Sequence, residues 1–323
     1  MHLAELSTAQ LLALGRISDC PCGKQHETQL KYLELGAGVL EKLPEMLQKA
    51  GYRRPFAICD PNTYAAAGQR ALALLDAAGI SYRYLQLRES KPEPDEAALG
   101  QLCMQFDASC DCILAIGGGV INDLGKMLAA ATGKRSIMVA TAPSMDGFAS
   151  GSGSMVVGGV KVSLSCPCPI GVIADTEIMA AAPMRMLQAG LGDALAKYIS
   201  ICEWRIAHLV TGEYYRLLAR DQEAVRNVAE ALILSGIAMG LAGVSRPASG
   251  IEHYFSHMWE MRAFERGEQS DLHGIQVGVG TLLAARLYEW IAELTPSREL
   301  AEAHMREFSQ AQWEAEMPQY FGS

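Results

Sequence analysis

The sequence is short of positive charge. Its 27 Lys and Arg stand against 36 Asp and Glu, a formal net charge of -9. A nucleic-acid-binding surface needs clustered cations, so no nucleic-acid partner is expected, and an anionic small substrate depends on a few cations placed in its own site. Long apolar runs are missing too. The most apolar stretch, Ala231 to Val244, is too short to span a bilayer and is broken by Ser235, Gly236, Gly240 and Gly243. It reads as a buried helix, and no membrane span is expected. Internal repeats and low-complexity tracts are absent. So is a legible secretory leader: Met1 to Gly15 carries Glu5 and lacks a basic segment followed by a small-residue cleavage site, and it reads as a short amphipathic helix. Without such a leader the nine cysteines call for no disulfide framework, and a reducing, cytoplasmic compartment is expected.

What is present is material for a core. Half of the 323 residues are apolar and a fifth are charged, and the length favours two domains over one. From Tyr32 to about Asp175, short β-type runs alternate with helical patterns, the rhythm of a parallel sheet with crossover helices. The candidate strands are Phe56–Cys59, Tyr82–Leu85, Cys112–Ile116, Ser136–Ala140 and Ile170–Ala174, with helices such as Ala65–Ala78 and Leu124–Thr132 between them. From about Glu177 helical periodicity takes over, as in Met186–Val210 and Asp221–Gly243. The expected architecture is an α/β domain over residues 1–176 and a helical domain over 177–323, with a ligand in the cleft outside the carboxyl ends of the strands.

Two places carry chemistry. The strand-like run Ile113–Ile116 feeds into Gly117-Gly118-Gly119, and a helix begins over Asn122-Asp123-Leu124-Gly125-Lys126. Glycines there let a backbone approach a ligand closely, and the free N–H groups of a helix start favour a pyrophosphate. The spacing is not GxGxxG, and a tight turn is the plain alternative. Asp60, after an earlier strand, could accept hydrogen bonds from an adenine ribose and repel a 2′-phosphate, or simply cap the turn Asp60-Pro61-Asn62-Thr63.

The second place is a cluster of possible metal ligands. Asp193 and Lys197 stand four apart on one helix face, which is also the spacing of an ordinary ion pair. Three of only seven histidines, His253, His257 and His273, follow close together. One carboxylate and two neutral imidazoles would hold a divalent ion with open positions, suited to zinc, nickel or ferrous iron. Spacing leaves open which two of the three histidines bind.

Together these runs resemble the superfamily of iron-containing alcohol dehydrogenases, glycerol dehydrogenase and dehydroquinate synthase. Gly117-Gly118-Gly119-x-x-x-Asp123-x-x-Lys126 is similar to its nucleotide motif, and His273-Gly274-x-x-Val277-Gly278-x-Gly280 to its second metal-histidine motif. The closer match is the sn-glycerol-1-phosphate dehydrogenase branch. It is resembled in Thr141 to Ser150, in Gly192 to Tyr198 with Glu203-Trp204-Arg205, and in Ser245 to His253, so the likeness runs along nearly the whole chain.

The resemblance implies a Rossmann-like sheet domain with an all-α metal-binding domain, NAD(P)H and one divalent metal as cofactors, and a place in phospholipid biosynthesis. Asp193, His253 and His273 match the metal ligands. His257, Lys197 and Arg246 match substrate-contacting positions and supply the cations expected near a phosphate; the plainer alternatives are an ion pair with Asp193 for Lys197 and a helix-terminal charge for Arg246. Asp146 matches a position that meets a substrate hydroxyl, and Thr141 and Ser144 line the cofactor side.

The reaction implied is reduction of dihydroxyacetone phosphate to sn-glycerol 1-phosphate. An oxidoreductase acting on glycerol or another small polyol, a lyase of the dehydroquinate synthase type and a non-catalytic nucleotide binder are the alternatives. Gly250 stands where the lyases carry Asn, and the metal acid is Asp where theirs is Glu. Cys20-Pro21-Cys22-Gly23-Lys24-Gln25-His26 is tighter than zinc spacing and reads as a turn or hairpin. The chain runs some fifty residues past His273, where bacterial members continue with more helix; a shortened member, a truncated chain and a homo-oligomer all stay open.

Overall fold

The computed structural model describes residues 6–17, 20, 23, 25–198, 212–243, 248–295 and 297–321. Its centre is a six-stranded sheet in the order β3-β10-β7-β6-β4-β5, every neighbouring pair parallel: β3 (Tyr32–Gly36), β4 (Pro55–Cys59), β5 (Arg83–Gln86), β6 (Cys112–Gly117), β7 (Arg135–Ala140) and β10 (Gly171–Asp175). All five strands expected from the sequence are there. The sixth, β3, opens the chain's path through the sheet and pairs at its edge.

Burial explains why the central strands were legible. Every residue of β4, β6 and β10 is buried, as a parallel sheet covered on both faces requires. Alternate residues go to two cores. Ala57, Leu114, Val139 and Ile173 meet the helix Leu43–Lys49 and its neighbours on one face. Ile58, Ile113, Met138 and Val172 face the helix Gly119–Thr132 on the other, and this second core runs on without a break into Leu187, Leu191, Val228 and Leu232 of the carboxyl-terminal helices.

The remaining strands form two antiparallel pairs, β1 (Arg16–Ile17) with β2 (His26–Glu27), and β8 (Ser152–Val157) with β9 (Val160–Ser165). The first pair brackets the Cys20 segment, in line with the hairpin reading. Cys20 is a free thiol and His26 Nδ1 bonds Leu241 O at 2.7 Å, while Cys22 lies outside the described residues. The second pair turns at Gly158-Gly159, both with positive φ, the backbone of a tight two-residue hairpin.

After β10 the described chain is helical. For the elements used below we write α1 for Gly119–Thr132, α2 for Met184–Leu195, α3 for Gln222–Ala242, α4 for Ile251–Glu265 and α5 for His273–Ala292. The expected helix Met186–Val210 gives way to a 3₁₀ turn at Ala196–Tyr198, beyond which the chain lies outside the described residues. α3 follows the expected limits closely, with Asp221 accepting the Ala224 N–H as N-cap and Gly243 left-handed at the far end. Among the described residues α3 alone is long and apolar enough to cross a membrane, and 67% of its most apolar window is buried inside the fold.

Candidate active site

The sheet order dictates where a ligand can sit. The connection from β4 leads outward to β5, and the next strand, β6, is on the other side of β4, so the crossovers diverge above the β4 and β6 carboxyl ends. Such a switch point opens a crevice. Asp60 and the Gly117-Gly118-Gly119 turn stand at its two sides. Gly118 is the N-cap of α1 and no side chain caps that end, which leaves the first N–H groups of the helix for a ligand. A Cβ on Gly117 would lie 2.5 Å from Ile121 Cβ, so only glycine allows this tight entry. These features fit a pyrophosphate.

The other cofactor candidates are distributed unevenly. The Thr141 N–H donates to Gly117 O at 3.0 Å, tying the ends of β6 and β7, and Ser144 lies over Gly118. Asp60 is buried and its Oδ1 caps Thr63 N at 2.9 Å, the plainer of its two expected roles. Lys126 points away from the turn. It is buried, pairs with Asp123 at 3.0 Å, and donates to Gly147 O, Ser150 Oγ and Ser152 O. Asp123 and Lys126 therefore brace the loop that carries Asp146.

That loop, residues 141–150, is clamped by two helices. A Cβ on Gly190 of α2 would fall 1.7 Å from Pro143 O, and one on Gly236 of α3 would meet Ala149 at 3.0 Å. α2 is pressed as closely on α5, because a Cβ on Gly192 would stand 2.3 Å from Gly274 O. Small residues at these crossings bring Asp193 against Asp146 and pack the helix that carries it on the start of α5, which His273 opens.

At the junction the Asp146 N–H donates to Asp193 Oδ2 at 2.9 Å. Lys197 Nζ lies 3.1 Å from Asp193 Oδ1, 2.8 Å from Asp146 Oδ2 and 2.8 Å from Ala248 O, so its three donors are all engaged in a fully buried position. Ser235 Oγ also donates to Asp146 Oδ2. Burial pushes the Asp146 carboxyl up, but Lys197 outweighs it and holds the group below the usual carboxylate range. Burial likewise works against the Lys197 charge, yet Asp146 and Asp193 together raise the ammonium above its ordinary value.

Facing Asp193 are the histidines. His253 Nε2 is 3.9 Å from Asp193 Oδ1, and the His253 ring lies 5.3 Å from His273, centroid to centroid. His253 Nδ1 donates to Glu252 Oε1 at 2.8 Å, and His273 Nδ1 has Ser256 Oγ at 3.1 Å and Glu260 Oε1 at 3.3 Å. A carboxylate only accepts, so each Nδ1 carries a proton; in the neutral ring this leaves the Nε2 lone pair free, the tautomer that orients histidine as a metal ligand. His257 is half exposed and stacks on His273 at 5.8 Å. Arg246 lies outside the described residues.

The donor set fits a divalent cation: one buried carboxylate and two imidazoles with Nε2 available. Among the described residues no three His, Cys, Asp or Glu side chains are already closed to metal-binding distances, and the positive charge beside Asp193 is the Lys197 ammonium. Sequence reasoning missed Glu252, Ser256, Glu260 and Lys161. Glu260 was within reach of it, since it follows His257 at i,i+3 on the same helix face. Lys161, which pairs with Glu260 at 2.6 Å from the β8–β9 hairpin, left no such trace.

The chain matches the family described as iron-containing alcohol dehydrogenase over residues 34–183. It is 36% identical to a glycerol-1-phosphate dehydrogenase (NAD(P)+) of Halalkalibacterium halodurans over 84% of this chain and 74% of that one. The protein of the same name from Methanothermobacter thermautotrophicus is 34% identical over 78% and 76% of the two chains. Among solved structures, glycerol dehydrogenase from Schizosaccharomyces pombe superposes with a TM-score of 0.66 at 18% identity, covering 81% of this chain and 72% of its own. A probable glycerol dehydrogenase from Sinorhizobium meliloti gives 0.64 at 22%, covering 86% and 80%. The structural likenesses establish the fold, and the sequence likenesses go further: this chain belongs to the glycerol-1-phosphate dehydrogenase family of the iron-containing alcohol dehydrogenases.

Proposed function

We propose that the chain reduces dihydroxyacetone phosphate to sn-glycerol 1-phosphate, reversibly, using NAD(P)H and a divalent cation held by Asp193, His253 and His273. The observation that carries this reading is the succession of His253 beside Asp193, at 3.9 Å, and of His273 beside His253, at 5.3 Å between ring centroids, both histidines with Nδ1 held by a carboxylate. When bound, such a cation would supply Lewis-acid charge for a ketone oxygen and a reduced nicotinamide would supply the hydride.

The chain's own residues do the rest. The open start of α1 behind Gly117, Gly118 and Gly119 binds the pyrophosphate, with Thr141 and Ser144 along its side and Asp123 and Lys126 holding the loop beneath. Asp60, with one oxygen spent on its cap, offers the other to the adenine ribose. Asp146 directs its Oδ1 to a substrate hydroxyl, because Oδ2 is taken by Lys197 and Ser235. His257 at the rim, Arg246 and Lys197 meet the phosphate. Lys197 would turn to it by giving up one of its three present partners, Asp193, Asp146 or Ala248 O. His257 is also the group exposed enough to relay a proton from solvent to the new alkoxide. The described cysteines are all free thiols, which supports a reducing, cytoplasmic setting.

The test is a spectrophotometric assay with dihydroxyacetone phosphate plus NADH or NADPH, and with glycerol plus NAD+ or NADP+, across zinc, nickel and ferrous iron. Oxidation of cofactor with the phosphorylated ketone is expected, and oxidation of glycerol at equal or greater efficiency would replace this substrate. Metal analysis of Asp193→Ala should show loss of the bound cation.

A further inference from the structure

Glu260 gathers groups from three segments of the chain. Its Oε1 lies 3.3 Å from His273 Nδ1 at the start of α5 and 2.6 Å from Lys161 Nζ on β9, and its Oε2 lies 3.4 Å from His257 Nδ1 one turn back on α4. The carboxylate is buried, where an ionised group is costly unless every contact counters its charge. His253 has a carboxylate of its own in Glu252, so Glu260 serves the other two imidazoles. Because it only accepts, it selects the same tautomer in both rings, and because it is one rigid group it fixes their planes relative to each other. The stacking of His257 on His273, with ring planes 26° apart, is the visible result.

Lys161 adds a second link. It belongs to the β8–β9 hairpin, which leaves the sheet half of the molecule after β7, and its ammonium ends on a helix of the other half. Resting on the function proposed above, we infer that Glu260 is a positioning residue: it holds His273 for the cation and His257 for the substrate in one geometry, and through Lys161 it latches the hairpin to the helix that carries His257. Its effect is exerted through the histidines.

The experiment measures Zn²⁺ affinity by competition with a chelator in the full-length protein and in Glu260→Gln, Lys161→Met and Asp193→Ala, with amide exchange of residues 152–165 followed in parallel. Glutamine matches the size of Glu260 but offers one acceptor to two N–H groups. Its affinity for Zn²⁺ should fall about 10- to 100-fold, the usual effect of losing an outer-shell partner. In the wild type, Zn²⁺ should slow exchange in the hairpin, and in Lys161→Met that slowing should be lost. Wild-type affinity in Glu260→Gln together with loss of Zn²⁺ in Asp193→Ala overturns the inference and leaves the proposed function standing. Undiminished Zn²⁺ in Asp193→Ala overturns both. If Glu260→Gln does not fold, Lys161→Met decides: hairpin protection by Zn²⁺ equal to the wild type refutes the latch.

Discussion

Lys197 Nζ lies 3.1 Å from Asp193 Oδ1, and neither side chain has any exposed surface. The same ammonium reaches Asp146, so one buried cation answers two carboxylates from different segments. The pair was read from its spacing as either a surface contact or part of a site, and burial removes the first option. What remains is a buried cluster in which one ammonium faces two carboxylates.

Removing that cation should therefore cost stability. Lys197→Met leaves Asp146 and Asp193 buried without a counter-charge, and breaking a buried pair by deleting one partner costs about 3–5 kcal/mol. The loss should be smaller when a divalent cation is added, because it can neutralise the same carboxylates. Thermal melting of wild type and variant, each with and without zinc, checks this. An equal loss in both conditions would show that Lys197 and the cation do not share Asp193.

The parts of the fold that followed the expected pattern are those buried on both faces. β4, β6, β7 and β10 are runs of apolar residues because the sheet is covered on either side, and such runs stand out in a sequence. β3, with Glu34 in its middle and no residue fully buried, lies at the sheet edge and gives a weaker signal. The β8–β9 hairpin carries a signature of its own, Gly158-Gly159 between valine-rich runs, but it interrupts the α/β rhythm on either side and is masked by it. In the site, residue type and spacing pointed to the histidines and Asp193. The groups that orient them, Glu252 and Glu260, are carboxylates on a helix already rich in charge; the i,i+3 spacing from His257 marks Glu260, whereas only the fold distinguishes Glu252 from a solvated residue.

The contact of α2 with α5 has no room for a side chain at Gly192. A Cβ there would sit 2.3 Å from the backbone oxygen of Gly274, which cannot swing away as a side chain can. Gly192→Ala should force the helices apart at a cost of about 1–3 kcal/mol. Since Asp193 and His273 are the next residues on either side, zinc binding should fall with it. Urea denaturation and zinc stoichiometry on the same preparation test the two effects, and unchanged zinc binding would mean that the helix crossing does not set the site.

Thiol reactivity should follow burial. Burial pushes the Cys59 thiol up to about 11 and the Cys168 thiol up to about 12, whereas Cys103 is exposed. At about pH 8 roughly one Cys59 in a thousand is thiolate, and the thiolate is the reactive form. Iodoacetamide labelling with peptide mapping should modify Cys103 well before Cys59 or Cys168 in the folded protein, and all three alike in urea. Early labelling of Cys59 without denaturant would contradict its placement in the sheet.

The dependence of stability on pH follows from the other partner of the Lys197 ammonium, Asp146. Burial raises the Asp146 carboxyl but Lys197 more than offsets it, so the folded value lies below the ordinary 3.8. A depressed carboxyl contributes stability that is present above its unfolded value and is lost as pH falls through the folded one. Lys197 has the opposite sense: burial lowers it, Asp146 and Asp193 raise it further, and its contribution is present below the ordinary 10.5 and lost as pH rises through the folded value. Between about pH 5 and pH 9 both contributions are constant, and the acid limb should appear below about pH 4. Asp146→Asn removes the acid term while keeping the size of the side chain. The difference in melting temperature between wild type and Asp146→Asn, measured without metal, should hold steady through the neutral range and shrink as the pH drops below about 4. A difference that persists undiminished into strong acid would mean that the Asp146 charge adds nothing to the folded state and that its hydrogen bonds alone hold the loop against Asp193.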